Sequence, residues 1–247
     1  MRKTWAVVRR ELIAYFSSPL AYVVMTGFLL IQGFVFERIV SILNNPQVPA
    51  MTPLRAFFGG TFFFWLILLF IIPMITMRLI AEERRSGTIE MLMTSPVTEA
   101  QVVVAKFSAA LIFYIALWLP TVVYVVLLGR HSEIDMGPIA ASYLGVVLIG
   151  FFFLAIGTFV STLTNNQLIA AVITFAVILF LFSMALVEQT VISSSFLKPV
   201  LARMNLWTQM DDFAKGIVDT RHVIYQLSVG VLFLFLAAKS LEVKKWR

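Results

Sequence analysis

Residues 136–187 run for 52 positions without one Asp, Glu, Lys or Arg. As a single helix this stretch would extend roughly 78 Å at about 1.5 Å per residue. A bilayer hydrocarbon core is only roughly 30 Å thick. The stretch has to fold back on itself, and the sequence offers one place to do so. Ser161-Thr162-Leu163-Thr164-Asn165-Asn166-Gln167 is polar and poor in strong helix formers. Two expected crossings follow, at 139–160 and 168–187.

Further charge-free runs, 12–36, 56–77, 107–129 and the shorter 222–238, place the other spans near 18–36, 57–77, 107–128 and 223–239. Composition agrees. The 247 residues are 60% hydrophobic and 13% charged, whereas soluble domains are about a quarter charged. The expected fold class is all-α: a polytopic membrane protein with six transmembrane helices, forming one transmembrane domain over 1–247. The first apolar run follows a basic start, as in a signal peptide. It is longer than the about 7–15 residues of a signal core and lacks a clear small-x-small cleavage site, so it reads as a retained first span. There is no cysteine, hence no disulfide or thiol chemistry.

With both termini in the cytosol, the inside segments (1–17, 78–106, 161–167, 239–247) carry 12 Lys/Arg and 6 Asp/Glu. The outside segments (37–56, 129–138, 188–222) carry 7 of each. The positive-inside rule favours this orientation. The basic ends, Arg2, Lys3, Arg9, Arg10 and Lys239, Lys244, Lys245, Arg247, then serve topology and contact with lipid headgroups. No basic soluble domain exists to bind nucleic acid.

Residues 1–17 read as a helix on the inner surface, with Trp5, Val8, Leu12, Tyr15 and Phe16 sharing one side and Arg9 on or near it. Ser17-Ser18-Pro19 breaks or bends the chain into the first span. Residues 37–56, with Asn44-Asn45-Pro46, Pro49 and Pro53, form an outer loop. The aromatic-rich second span contains Pro73, which removes a backbone donor; its aromatics suit packing or lipid contact better than a ligand box. In 188–222, Leu206, Met210, Phe213 and Ile217 recur at helical steps. That helix either caps the bundle or gates a substrate. Asp211-Asp212 reads as a solvated face.

Several chemistries are missing. No ionisable residue lies in the core of an expected span, which disfavours a proton-driven carrier. His131 and His222 have no metal-ligand spacing, and no Gly-Lys pair exists for a phosphate-binding loop. No catalytic, cofactor-binding or metal site is expected in this chain. If ATP is used, another subunit binds it.

Between the second and third apolar runs lies a dense charged cluster, residues 78–96. The chain can continue as a helix to Arg85, be interrupted at Gly87, and form a short helix over 88–93 with Ile89 and Leu92 on one side. Ser95-Pro96 stops it. Thr98 with Gln101 fits a capping box that starts the next helix. Plain connection needs no such clustering, so the loop reads as a docking element on the cytosolic side.

The run Glu82-Glu83-Arg84-Arg85-Ser86-Gly87-Thr88-Ile89-Glu90, followed by Met91-Leu92-Met93-Thr94-Ser95-Pro96, resembles the loop between spans 2 and 3 of type 2 ABC exporter permeases. Leu163-Thr164-Asn165-Asn166-Gln167 and residues 212–221 fit the same family. The likeness covers essentially the whole chain and is closest to the gliding-motility, GldF-like branch. It implies a permease subunit of the bacterial inner membrane, with a cytosolic ABC ATPase holding ATP and Mg. A second permease copy or homologous permease is implied too, and in this branch a separate accessory subunit. In that family the loop after span 2 carries the coupling helix, which here would be 88–93. Ile89 and Leu92 would supply apolar contact to the ATPase. Glu82, Glu83, Arg84, Arg85 and Glu90 would supply the charged surround, with Gly87 and Thr88 at the helix entry. A membrane scaffold actuated by an ATPase and a secondary carrier working alone are the rival readings.

Overall fold

A short polar turn decides the centre of the architecture. The 28-residue helix Met136–Leu163 ends where Thr164 becomes extended. Asn166 then donates its backbone N–H to Thr164 Oγ1 (3.1 Å) and accepts the Leu168 N–H on Oδ1 (2.9 Å). These local side-chain bonds replace the helix ladder for three residues. The chain reverses, and the next helix starts at Gln167.

The computed structural model describes residues 2–44, 52–85, 87, 98–130, 134–190 and 205–245. Among them the elements in chain order are α1 (Arg2–Ser17), α2 (Pro19–Leu43), α3 (Pro53–Arg55) with the π turn Ala56–Gly60, α4 (Phe62–Thr76) and α5 (Ala81–Arg85). Then come α6 (Glu99–Trp118), the 3-10 turn Leu119–Thr121, α7 (Val122–Gly129), α8 (Met136–Leu163), α9 (Gln167–Thr190), α10 (Leu206–Ala214) and α11 (Thr220–Lys245). No strand occurs among the described residues. Six segments are long and apolar enough to cross a membrane: Ala21–Leu43, Phe62–Arg85, Glu99–Gly129, Met136–Leu163, Gln167–Met184 and Thr220–Val243. The fold class is therefore all-α with six membrane-length helices.

Helix α8 is the hub. It packs against α4, α6, α9, α10 and α11. Its most apolar stretch is 72% buried, against 22% for α9 and 17% for α11, so α9 and α11 turn broad apolar faces outward. Small residues permit the close approach. A Cβ at Gly150 would overlap the Tyr114 ring, and one at Gly157 would overlap the Thr76 side chain. Tyr114, fully buried, donates its hydroxyl to the Val146 carbonyl at 3.2 Å.

Two readings of the amphipathic segments change. In α1 the inward stripe is Val7, Val8, Glu11, Leu12 and Tyr15, with Val8 against Ala105 and Ala109 of α6. Trp5, Ile13 and Phe16 are exposed. The packed arc is rotated from the expected one because the nearest partner is the small-residue face of α6, which leaves Trp5 outside the contact and Phe16 touching only the edge of Phe113. Further along the chain α10 stops at Ala214, and Gly216 takes φ 87°. Ile217 is thus outside the helix and exposed, while Leu206, Met210 and Phe213 are buried against the bundle. Asp211 is no plain solvated carboxylate. Arg55 holds it at 3.2 Å and Lys215 pairs with it from one turn on, pinning α10 to α3 as a cap.

Candidate functional site

The base of the charged loop is built at the junction of α4 and α5. Pro73 sits inside α4 and lacks a donor, and four residues later the helix gives way to a turn over 77–80 before α5 begins. The break leaves backbone N–H groups that need acceptors. Ser161, fully buried at the end of α8, accepts both the Ile80 and the Ala81 N–H on its hydroxyl, each at 3.1 Å. One side chain of the hub helix therefore fixes where the loop starts.

The four charges of α5 do not point one way. Glu82 and Arg85 are exposed, whereas Glu83 and Arg84 are partly covered. Glu83 Oε1 lies 3.0 Å from Lys106 Nζ and 3.1 Å from Arg10 Nη2. Glu11 Oε1 takes the same two cations, Lys106 at 3.1 Å and Arg10 at 2.9 Å. Lys106 is 2% exposed. A charge buried that far requires close opposite partners, and these two carboxylates and two cations close a neutral ring. It joins three elements: α1 through Arg10 and Glu11, α5 through Glu83, and α6 through Lys106. The hydrogen bond to Glu11 raises the Arg10 pKa above its ordinary value, against partial burial.

A second contact ties α1 to the same place. Tyr15 donates its hydroxyl to the Ile75 carbonyl at 3.0 Å, near the end of α4. Burial first, then the Glu11 carboxylate, push the Tyr15 phenol above its usual pKa, while Arg78 acts in the opposite direction. On the far side of the loop, Thr98 closes the capping box with Gln101. Gln101 N–H reaches Thr98 Oγ1 at 3.3 Å and Thr98 N–H reaches Gln101 Oε1 at 3.2 Å.

Gly87 is the last described residue before the segment proposed to dock. Its φ is 71°, in the left-handed region that favours glycine, and its N–H donates to the Arg84 carbonyl at 3.3 Å. This is a helix stop of the glycine kind, and it ends α5 where the sequence placed the interruption. Thr88, Ile89, Glu90 and Leu92, the 88–93 helix and its Ser95-Pro96 stop lie outside the described residues.

The profile of the ABC-2 family transporter protein matches residues 13–228, most of the chain. The chain belongs to the ABC-2 family. No match was found among curated proteins. As an ABC-2 membrane subunit with six membrane-length helices, it is a permease component of an ABC transporter. Arg10, Glu11, Lys106 and Ser161 are the site residues that motif reading left out of this ABC-2 chain. Each had a signal. Glu11 is the lone acid among four cations in 1–17, and Lys106 is the last charge before the third apolar run. Ser161 opens the polar turn.

Proposed function

We propose that this chain is the membrane-spanning permease of an ATP-driven exporter, coupling ATP hydrolysis in a separate cytosolic ABC ATPase to substrate movement. The observation that carries the reading is the ring of Arg10, Glu11, Glu83 and Lys106. It ties the base of the charged loop to two neighbouring elements, α1 and α6, just ahead of Gly87. A push on that segment reaches α4 through the backbone, α6 through Lys106, and α2 through α1 and the single residue Ser18 between them. In this reading residues 88–93 seat on the ATPase, with Ile89 and Leu92 as apolar contacts and Thr88 at the entry. Glu82, Arg84, Arg85 and Glu90 set register and partner choice more than affinity, and Gly87 permits the turn between base and docking helix. Glu83 faces the bundle and holds the base.

ATP and Mg belong to the ATPase. A second permease copy or a homologous permease completes the pore, and the outward apolar faces of α9 and α11 leave room for it. The likeness to the gliding-motility branch adds a separate accessory subunit. The protein sits in the bacterial inner membrane with both termini cytosolic. The 12-to-7 partition of basic residues supports that orientation, and α1, the base of the loop and the start of α6 meet at one end of the bundle.

The test is purification of tagged protein from its native membrane in mild detergent, with mass spectrometry of what accompanies it. A nucleotide-binding subunit should come with wild type and be lost with Gly87→Pro, since proline cannot take φ 71°. Absence of an ATPase from both preparations would overturn the proposal.

A further inference from the structure

A cavity of about 120 Å³ lies beside the ion-paired ring, between α1, the start of α2 and the end of α4. By the same measure one water needs about 10–15 Å³, so the space takes a group the size of a lipid headgroup. Glu11, Tyr15, Arg78 and Glu82 line its polar side, and Val24 and Met74 its apolar side. The Nε of Arg78 is buried and has no hydrogen-bond partner among the described residues. A buried guanidinium N–H without an acceptor calls for an anionic oxygen, and phosphate matches its geometry. The charges around the cavity and ring balance: Arg10, Arg78 and Lys106 against Glu11, Glu82 and Glu83. A net-neutral ligand keeps that balance, whereas a net anion disturbs it. Met74, in the cavity wall, is also exposed on α4, and Tyr22 and Val23, between the lining residues Ala21 and Val24 in sequence, are exposed apolar surface on α2, both helices being of membrane length, as an acyl chain requires.

We infer that this cavity binds the headgroup of a zwitterionic phospholipid carrying a primary ammonium, phosphatidylethanolamine in chemical class. The phosphate accepts from Arg78, the ammonium N–H groups donate to the Glu11 and Glu82 carboxylates, and a chain runs along Val24 and Met74. A primary ammonium supplies donors that a quaternary one lacks, which sets ethanolamine apart from choline. The inference rests on the membrane fold and not on ATPase docking, so the two proposals fail separately.

The experiment is native mass spectrometry of the full chain in detergent, delipidated and then titrated with phosphatidylethanolamine, phosphatidylcholine or phosphatidylglycerol. Wild type should hold one phosphatidylethanolamine in preference to the other two. Arg78→Gln should weaken it about tenfold, the loss of one charge-assisted hydrogen bond. Ala14→Phe, which fills the cavity from its wall without removing a polar group, should abolish it and decides the matter if Arg78→Gln does not fold. Arg38→Gln, far along α2, should bind as wild type. Equal binding of the three lipids, a preference for phosphatidylglycerol, or undiminished binding by Ala14→Phe would each overturn the assignment.

Discussion

Replacing Lys106 by Met should destabilise the protein far more than replacing Arg10 by Gln, although both cations touch the same two carboxylate oxygens. The difference comes from burial. The Lys106 side chain is 2% exposed and Arg10 is 57% exposed, with Glu11 at 14% and Glu83 at 16%. Removing one partner of a buried ion pair costs about 3–5 kcal/mol, because the remaining charge stays desolvated. Arg10 still bridges both carboxylates in Lys106→Met, so the low end applies, about 3 kcal/mol. At roughly 2–4 °C per kcal/mol for a chain of this size, the midpoint of thermal unfolding should fall by roughly 6–12 °C. Arg10→Gln removes an exposed partner, worth about 0.2–1 kcal/mol, and should move it by less than about 4 °C. Adding Glu11→Gln and Glu83→Gln to Lys106→Met removes the stranded charges and should restore part of the loss. The assay is thermal unfolding of the detergent-solubilised full chain at fixed salt. Equal shifts for Lys106→Met and Arg10→Gln, or no recovery in the triple variant, would refute the claim that a desolvated charge anchors the loop.

Ser161→Ala leaves two buried N–H groups without their acceptor and should cost about 2 kcal/mol, read in the same assay; a neutral result would mean that the turn over 77–80 finds other acceptors. Glu90→Arg should leave membrane levels unchanged, weaken retention of the ATPase and alter its salt dependence; unaltered retention at low and high salt would place Glu90 outside the contact. Asp211 offers a pH test. Burial pushes its pKa up, but the bonds from Lys215 and Arg55 outweigh that and hold it below the usual carboxylate range. A depressed folded pKa gives stability that is complete above the unfolded value of about 3.9 and is lost as pH falls through the folded one. The unfolding midpoint of wild type should therefore decline below about pH 4, and Asp211→Asn should reduce that slope; an unchanged slope would show that the Asp211 pairs contribute nothing in solution.

The spans were legible because a bilayer imposes length and forbids charge, and both can be counted along the chain. The turn over 164–166 was legible for a related reason, since it falls in the densest polar stretch, 161–167, of a long charge-free run. So was the Thr98 capping box, a strictly local device. What escaped was long-range. Glu11 is separated from Lys106 by 95 positions and Arg10 from Glu83 by 73, and nothing in residue order says that α1 lies across α6. The end of α10 escaped for a subtler reason. The apolar period carries on to Ile217, but Gly216 at φ 87° stops the helix before it, so the pattern outlasts the structure that reads it.

The two anchors at the loop base differ in kind, and the difference bears on how the proposed coupling would work. Ser161 grips the backbone of Ile80 and Ala81 from the hub helix. Moving that junction away from α8 strands two buried donors, so the bonds resist displacement. The ring grips a side chain instead, through an arginine that is mostly exposed and a lysine on a long flexible stem. Such a contact can tilt while keeping its charges paired. The loop base is thus fixed toward α8 and compliant toward α1 and α6. A thrust arriving past Gly87 would rotate α5 about the Ser161 contact rather than lift it from the bundle. The motion would pass sideways, to α6 through Lys106 and to α2 through α1. On this account Ser161→Ala and Lys106→Met break coupling differently. The first frees the pivot and leaves ATPase retention intact with transport lost, while the second cuts the link to α6 and leaves the Arg10 link to α1 in place. Identical effects of both variants on transport and on the α1–α6 distance, measured by spin labels with and without nucleotide, would remove the distinction between pivot and link.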